Sequence, residues 1–268
     1  MNAVGISLDN AAGQGGSSAE VELAKLPRRT DYVPITVSER LARIEKAQRL
    51  MVEQGNDALY LDASTSLYYF TGLRLWASER LHAAVIPARG DLFYISPGFE
   101  EQKTRAMLLF GDDVRTWQEH QDPTALVGQC IGEVGSAQSV LAVDPATPFF
   151  VFDGLRRAMP GVEFVNGSRV TATCRMHKSD SEIALIQFAM ELTLRVQESA
   201  ARILVPRIST TEVQDFLTAA HLGLGTDGPP AFRIVLFGEP TAYPHGVPYP
   251  QELKEGDMVL IDTAATID

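Results

Sequence analysis

The sequence is poor in cysteine and tryptophan, with two of each among 268 residues. Cys130 and Cys174 lie far apart and match no spacing that is typical of a zinc site. So few cysteines exclude a small scaffold held together by disulfides and a cysteine-based metal centre. We therefore expect two reduced thiols in a cytoplasmic protein.

Positive charge is also scarce, because 23 lysines and arginines are set against 34 acidic residues, for a net charge of −11. A nucleic-acid-binding chain usually carries a basic patch, and this sequence has none. No apolar run is long enough to span a bilayer, and the N-terminus lacks the basic-then-apolar layout of a secretory signal. We expect neither a nucleic-acid partner nor association with a membrane.

Several common catalytic motifs are missing from the sequence, among them H-E-x-x-H, G-x-S-x-G and the phosphate-binding P-loop. The letters G-L-G-T-D-G at 223–228 match a dinucleotide fingerprint. That fingerprint requires a strand before it and a helix after it. Here a predicted helix precedes it and Pro229-Pro230 follows, so we interpret the segment as a plain loop and expect no bound nucleotide cofactor.

Strand and helix patterns alternate along residues 31–168. A capping box, Thr36-Val-Ser-Glu39, predicts the start of a helix whose apolar face carries Leu41, Ile44 and Met51, and Gly55 predicts its end. Short β-rich runs and further helical segments follow, and this alternation predicts an α/β sheet domain. Residues 1–30 are rich in Gly, Ser, Ala and Asn and are interpreted as a flexible tail.

The segment 169–268 follows a break in the pattern at Asn166-Gly167-Ser168, where we place the domain boundary. Two more capping boxes begin at Ser179 and Ser209 and predict two helices. The first of these helices is predicted to bury one apolar stripe, made of Ile183, Ile186, Met190 and Leu194. A strand is predicted over 231–237.

The stretch from Thr241 to Asp262 holds the candidate site. His245 lies between Pro244 and Gly246, which fix the local backbone and so orient the imidazole. Met258–Ile261 is predicted to be a buried strand, and it ends at Asp262. A buried carboxylate requires a partner or a metal, although an isolated strand-end acid is more often a simple turn cap. Asp257 belongs to an ordinary polar turn.

Three segments carry a resemblance to a known family. Arg175–Ile183, Pro244–Gly246 and Leu253–Asp262 occur in order and together resemble the opening half of the pita-bread metallopeptidases, in the Xaa-Pro aminopeptidase and prolidase branch. Tyr68–Leu73 and the segment 79–87 resemble the creatinase-type N-terminal domain of that branch. The resemblance covers about residues 32–268.

The resemblance implies an α/β creatinase-like N-terminal domain over 31–168, followed by the first part of an α+β pita-bread domain over 169–268. By the same resemblance, Asp262 corresponds to the first carboxylate ligand of a two-metal site. His245 corresponds to the active-site histidine that contacts substrate. Relatives of this kind use two divalent ions (manganese, cobalt or zinc) to hydrolyse the bond before proline, act on peptides with proline in second position, and form homodimers.

Two features depart from the family pattern. The first metal ligand is followed by Thr263-Ala264, where the family usually has Asp-x-Gly. The remaining ligands implied by the resemblance, a second aspartate, a histidine and two glutamates, lie downstream of the first. We therefore expect the natural protein to continue beyond Asp268 and the polypeptide 1–268 to be inactive by itself.

Two alternatives share the same fold. A creatinase-like hydrolase would cleave a C–N bond without a metal, and its histidine would lie in the same region. A non-catalytic module would use the N-terminal domain for dimerisation or binding. The ligand positions that distinguish these alternatives are not reached by the sequence.

Overall fold

The computed structural model describes residues 15–134 and 139–267. These residues cluster into two compact units. The N-terminal unit is Ile35–Lys178, and the C-terminal unit combines the described parts of Met1–Pro34 and Ser179–Asp268. No helix in the described ranges has the length and apolar content needed to cross a bilayer.

The helices of the described residues are α1 (Ala19–Ala24), α2 (Val37–Gln54), α3 (Thr65–Thr71), α4 (Glu101–Met107), α5 (Pro123–Val134), α6 (Phe149–Ala158), α7 (Ser168–Met176), α8 (Asp180–Ile203) and α9 (Thr210–Leu224). The strands are β1 (Ala58–Asp62), β2 (Ala83–Pro87), β3 (Phe93–Pro97), β4 (Val114–Trp117), β5 (Val140–Val143), β6 (Glu163–Asn166), β7 (Phe232–Phe237) and β8 (Val259–Ala264).

The N-terminal unit is built on one mixed sheet with strand order β4-β3-β2-β1-β5-β6. β1, β5 and β6 are parallel to one another, whereas β2 is antiparallel to both of its neighbours. One apolar cluster covers each face: α5 and α6 pack on one side, and α2, α3 and α7 pack on the other. This arrangement confirms the predicted α/β domain.

Local signals in α2 predict its ends well but only part of its buried face. The Thr36 side chain accepts a hydrogen bond from the backbone N–H of Glu39, and Gly55 ends the helix with a φ of 72°. Ile44 and Met51 are buried as predicted. The prediction for Leu41 was wrong, because it is exposed on the side of the helix that turns away from the sheet.

The boundary between the two units lies at Lys178/Ser179, ten residues beyond the predicted 168/169. The difference comes from α7, which buries Val170 and Cys174 in the core of the N-terminal unit. The break at Asn166-Gly167-Ser168 is therefore a tight turn between β6 and α7 inside that unit, and the Asn166 carboxamide oxygen accepts a hydrogen bond from the Ser168 N–H.

The C-terminal unit packs α8 and α9 against the two-stranded sheet β7–β8. Reciprocal capping boxes at Ser179 and Ser209 begin the two helices, as predicted. Part of the predicted tail belongs to this unit, because Ala19–Ala24 form α1, and Leu23 and Leu26 pack against the core of the unit. The tail prediction is thus corrected for these residues, and residues 1–14 lie outside the described ranges.

The prediction for the buried face of α8 was wrong. The predicted residues Ile183, Ile186, Met190 and Leu194 are all exposed. The core is instead formed by a second apolar stripe on the same helix, comprising Phe188, Leu192, Val196, Ala200 and Ile203. Both stripes have helical spacing, so the sequence of α8 alone does not determine which of them contacts α9 and β7.

The prediction of a fully buried strand ending at Asp262 was also wrong. Residues of β8 are half-buried, Met258 before the strand is exposed, and so is Asp262. β8 has a single neighbouring strand and is covered by helices on one face only. The strand continues past Asp262 and ends at Ala264.

The N-terminal unit holds a buried carboxylate at the end of β1. Asp62 is 3% exposed and accepts hydrogen bonds from the Tyr60 hydroxyl and the Ala63 N–H, each at 2.9 Å. Burial raises the pKa of Asp62 to about 6, with the charge of Asp144 as a lesser cause in the same direction. The charged form of Asp62 therefore destabilises the fold.

We predict that Asp62→Asn removes this destabilisation. Between about pH 4 and about pH 6 the unfolded chain loses the Asp62 proton while the folded chain keeps it, so wild-type stability decreases relative to the variant as pH rises. The relative gain of the variant should reach up to about 3 kcal/mol above pH 6. Urea unfolding followed by tryptophan fluorescence reports on this unit, because Trp76 and Trp117 both lie in it.

Asp91→Asn, on the exposed β2–β3 turn, removes the same charge and serves as the control. Its stability difference from wild type should stay constant over the same pH range. A constant difference for Asp62→Asn as well would mean that folding does not shift the Asp62 proton equilibrium.

Candidate active site on the outer face of the β7–β8 sheet

The antiparallel pairing of β7 and β8 gives their sheet two different faces. Phe237 pairs with Val259 and Val235 with Ile261, and these four side chains join the core formed with α8 and α9. The alternate pairs, Leu236 with Leu260 and Ile234 with Asp262, therefore point to the opposite face. We call this second face the outer face.

Asp262 lies on the outer face without a protein partner. It is exposed, and within the described ranges no donor hydrogen-bonds to its carboxylate and no cation pairs with it. Its neighbours across and along the sheet are the apolar Ile234, Leu236 and Leu260. An unpaired carboxylate on an apolar surface is available to a cation or a hydrogen-bond donor from outside this set of residues.

The imidazole of His245 is carried by a tight turn. The Gly246 N–H donates to the Tyr243 carbonyl at 3.1 Å, Pro244 occupies the second position, and His245 has a φ of 66°. This is the pattern of a type II turn, whose third position usually holds glycine or asparagine. A left-handed histidine costs roughly 1 kcal/mol or more, and such strain is concentrated at functional sites.

The His245 turn packs on the outer face. Gly246 lies so close to β7 that an added methyl group would be 3.0 Å from Leu236 Cδ2. Leu236 is accordingly buried although it faces away from the helices. Leu236, which the turn contacts, is two residues along β7 from Ile234, the partner of Asp262, a spacing of about 7 Å along the strand.

The loop that follows His245 is fixed by Gln251. Its backbone exchanges hydrogen bonds with Thr210 at the start of α9, at 2.9 Å and 3.2 Å. Its side-chain oxygen accepts from the Phe237 N–H at the free edge of β7. A cavity of about 310 Å³ lies between this loop, α9 and β7, and His245 and Tyr249 line it.

Asp257 has a structural role, as the sequence indicated. Its carboxylate accepts a hydrogen bond from the Lys254 N–H at 2.9 Å and closes the turn before β8. Segment 223–228 is also structural: it begins inside α9, and Gly225 ends that helix with a φ of 102°. The strand–turn–helix context of a nucleotide site is absent from this described segment.

Sequence analysis gave no role to His221, which the structure buries completely behind the sheet. Its Nε2 lies 3.5 Å from the Thr263 hydroxyl, next to Asp262 in the chain, and its Nδ1 has no hydrogen-bond partner. Burial lowers the pKa of His221. The amphipathic pattern of α9 could have indicated that His221 points inward, since His221 follows the apolar Leu217 by four residues and so lies on the same face of the helix.

The described residues do not form a complete metal site. Within them, no three His, Cys, Asp or Glu side chains are grouped so that they could hold a metal ion. Asp262 can supply one oxygen ligand, whereas a divalent cation in a protein usually needs several. We therefore derive no chemical step through a metal from these residues alone.

These features define a class of protein: a creatinase-like α/β unit followed by the first part of a pita-bread domain, with an exposed acid on one sheet face and a histidine-bearing turn packed against that face. Comparison with known families agrees. Residues 43–177 match the Creatinase/Prolidase N-terminal domain, and residues 184–268 match metallopeptidase family M24. The chain belongs to the family of proteins that join these two domains.

Similar proteins include YkvY of Bacillus subtilis, which carries a putative dipeptidase name and is 27% identical over 227 residues. That match covers 84% of this chain and 62% of YkvY. The crystal structure of dipeptidase PepE from Mycobacterium ulcerans is similar with a TM-score of 0.77 and 26% identity, over 86% of this chain and 62% of PepE. This chain thus spans about three fifths of the length of these relatives.

A prolidase structure from Thermococcus sibiricus has the same fold, with a TM-score of 0.77 and 23% identity over 87% of this chain and 63% of that one. The predicted fold class is therefore confirmed. The roles predicted for His245 and Asp262 are not tested by these likenesses and stay predictions.

Because His221 is buried and neutral, we predict that the C-terminal unit loses stability in mild acid. Below the ordinary histidine pKa of 6.5, the unfolded chain binds a proton that the folded chain excludes. Hydrogen-exchange protection of α9 and β8, corrected for intrinsic rates, should fall by up to about tenfold per pH unit. In His221→Leu this extra loss should disappear.

His120→Gln provides the comparison, because His120 is exposed and its replacement removes one histidine without changing a core. This variant should keep the wild-type acid sensitivity. If His221→Leu also lost hydrogen-exchange protection in mild acid as wild type does, the buried imidazole would not be the cause of the acid sensitivity.

Proposed function

We propose that the protein is a metal-dependent peptidase that hydrolyses the bond before proline in Xaa-Pro dipeptides or peptides. The observation that carries the proposal is the shared face of the β7–β8 sheet. The unpartnered Asp262 carboxylate lies on it, and the strained His245 turn packs against it where Gly246 approaches Leu236; both belong to the segment that matches metallopeptidase family M24.

The relatives support the reaction class. YkvY and PepE bear dipeptidase names, and further similar folds are those of proteins named prolidase or Xaa-Pro dipeptidase. These names apply to those proteins; for this chain, cleavage before proline is our proposal.

In the proposed reaction, His245 donates a hydrogen bond to the substrate near the scissile bond as negative charge develops there. Its exposed position beside the 310 Å³ cavity leaves room for a peptide, and Tyr249 and Pro250 offer an apolar wall. Asp262 is proposed as the first ligand of a divalent metal pair, manganese, cobalt or zinc. The metal would lower the pKa of a bound water.

The other ligands would come from sequence that corresponds to the part of YkvY and PepE outside the match. On this proposal the polypeptide 1–268 by itself is inactive, because Asp262 is the single candidate ligand that its described residues place on the outer face. The active protein is further proposed to be a cytoplasmic homodimer.

We predict that proline release from Ala-Pro by the complete gene product requires both residues. Asp262→Asn should lower kcat/KM by about a thousandfold and reduce bound metal measured by elemental analysis. His245→Gln should lower kcat by about a hundredfold with bound metal unchanged. Chelation should abolish activity, and added manganese, cobalt or zinc should restore it.

His177→Gln and Asp257→Asn are the matched controls, since His177 is exposed in the other unit and Asp257 closes a turn away from the outer face. Both should retain activity within a few-fold. Activity that survives complete chelation would favour the creatinase-like C–N hydrolase. A stable dimer of the complete protein with neither metal nor activity would favour the non-catalytic module.

A further inference from the structure

The segment 15–34 precedes the N-terminal unit in the sequence but belongs to the C-terminal unit in the structure. The chain passes from the C-terminal unit into the N-terminal unit at Ile35 and returns at Ser179. The segment lies outside both family matches, and nothing in the proposed peptidase reaction uses it. We call residues 17–32 the strap, because they run along α8 and reach the end of α9.

The strap covers an aromatic ring of α8. Phe188 is buried, the Arg29 guanidinium lies 4.8 Å from the centroid of its ring, and the Tyr32 ring lies 5.2 Å from it. Leu23 and Leu26 pack against the same apolar core. The strap therefore completes this core, and its removal would expose apolar surface of α8 to water.

A buried carboxylate attaches the strap to the end of α8. Glu22 is fully buried, and its Oε1 accepts hydrogen bonds from the Ser17 hydroxyl and the Lys25 ammonium at 2.6 Å each. Its Oε2 lies 3.5 Å from the guanidinium of Arg202, in the last turn of α8. The Ser17 N–H also donates to the Arg202 carbonyl at 3.0 Å. These contacts select one docked position, because a displaced strap would leave a buried charge unpaired.

The other end of the strap contacts the turn that ends α9. The Arg29 N–H donates to the Leu224 carbonyl at 2.8 Å, and this carbonyl belongs to the last turn of the helix, where no intrahelical donor reaches it. Gly225 ends the helix and lies so close to the strap that an added methyl group would be 2.9 Å from the Arg29 carbonyl oxygen. The strap thus packs directly on the C-terminal cap of α9.

The chain that follows this cap is bonded to the strand that carries Asp262. The Asp227 N–H donates to the Thr266 carbonyl at 3.0 Å, and the Ala231 N–H donates to the Ala264 carbonyl at 2.8 Å. Both carbonyls lie just beyond Asp262 in the chain, at the end of β8 and immediately after it. A continuous series of contacts therefore runs from the strap, through the turn after α9, to the end of β8.

We propose that the strap is a detachable conformational element that controls the order of the β8 end. In the docked state it holds the turn after α9 and, through that turn, the residues that follow Asp262. Its release would loosen residues 225–231 and 264–267. The start of α9 would stay ordered, because the Thr210 N–H donates to the Gln251 carbonyl at 2.9 Å, away from the strap. This inference does not depend on the proposed peptidase activity.

Hydrogen exchange of the complete gene product tests the proposal. A specific protease site in place of the exposed Val33-Pro34 allows the strap to be cut after folding and removed by dilution and gel filtration. Protection of the Asp227 and Ala231 amides should then fall at least about tenfold, whereas that of the Thr210 amide should change less than about twofold. A synthetic peptide of residues 15–32 should restore the lost protection. Unchanged protection, or an equal loss at all three amides, would overturn the proposal.

Variants of the peptide locate the attachment. Glu22→Gln keeps the shape of the side chain and removes its charge, so this peptide should bind the strap-free protein about tenfold more weakly in titration calorimetry. Glu20→Gln removes the same charge from the exposed side of α1 and should bind like the unchanged peptide. If the strap-free protein aggregates, the two substitutions in the uncut protein decide. Glu22→Gln should then lower the protection of the Asp227 amide, and protection equal to that of Glu20→Gln would refute the attachment.

Discussion

The pairing register of β7 and β8 is the constraint on which the candidate site depends. Side chains alternate along each strand, and Val235, Phe237, Val259 and Ile261 are held in the core against α8 and α9. A slip of β8 by one residue would turn Val259 and Ile261 outward and direct Asp262 into that apolar core. Because a buried unpaired carboxylate is strongly unfavourable, the inward residues determine the outward direction of the acid.

The histidine is placed by a different device, a loop attached to two elements at once. Gln251 forms hydrogen bonds with Thr210 on α9 and with the edge of β7, so the position of the loop is fixed relative to both elements. Gly246 permits the close approach to Leu236. These attachments hold His245 in a left-handed conformation that an unrestrained loop would leave.

Local signals in the sequence predicted where the helices begin and end. Which face of a helix is buried depends on long-range packing, which those signals do not contain. Ser179 and Ser209 cap helices because a hydroxyl and a glutamate three residues later satisfy nearby N–H groups, whatever lies further away. The buried side of α8 depends on its partner helix, so Ile183 and Leu194 were assigned to the wrong face. The family resemblance supplied Asp262 and His245 as candidates, because neither residue carries a local signal of its own that distinguishes a site from an ordinary loop or strand end.

Aspartates at strand ends are buried in the N-terminal unit, whereas the one in the C-terminal unit is exposed. This difference bears on the roles of these aspartates. Asp62 and Asp144 are buried, and Tyr60, Ser64 and Ser66 donate hydroxyl groups to their carboxylates. Asp262 is exposed on a sheet face and receives no such donor from the described residues. A carboxylate with internal donors is satisfied by its own fold. A carboxylate without them depends on groups from outside, which is the condition expected of a metal ligand whose companion ligands lie elsewhere in the protein.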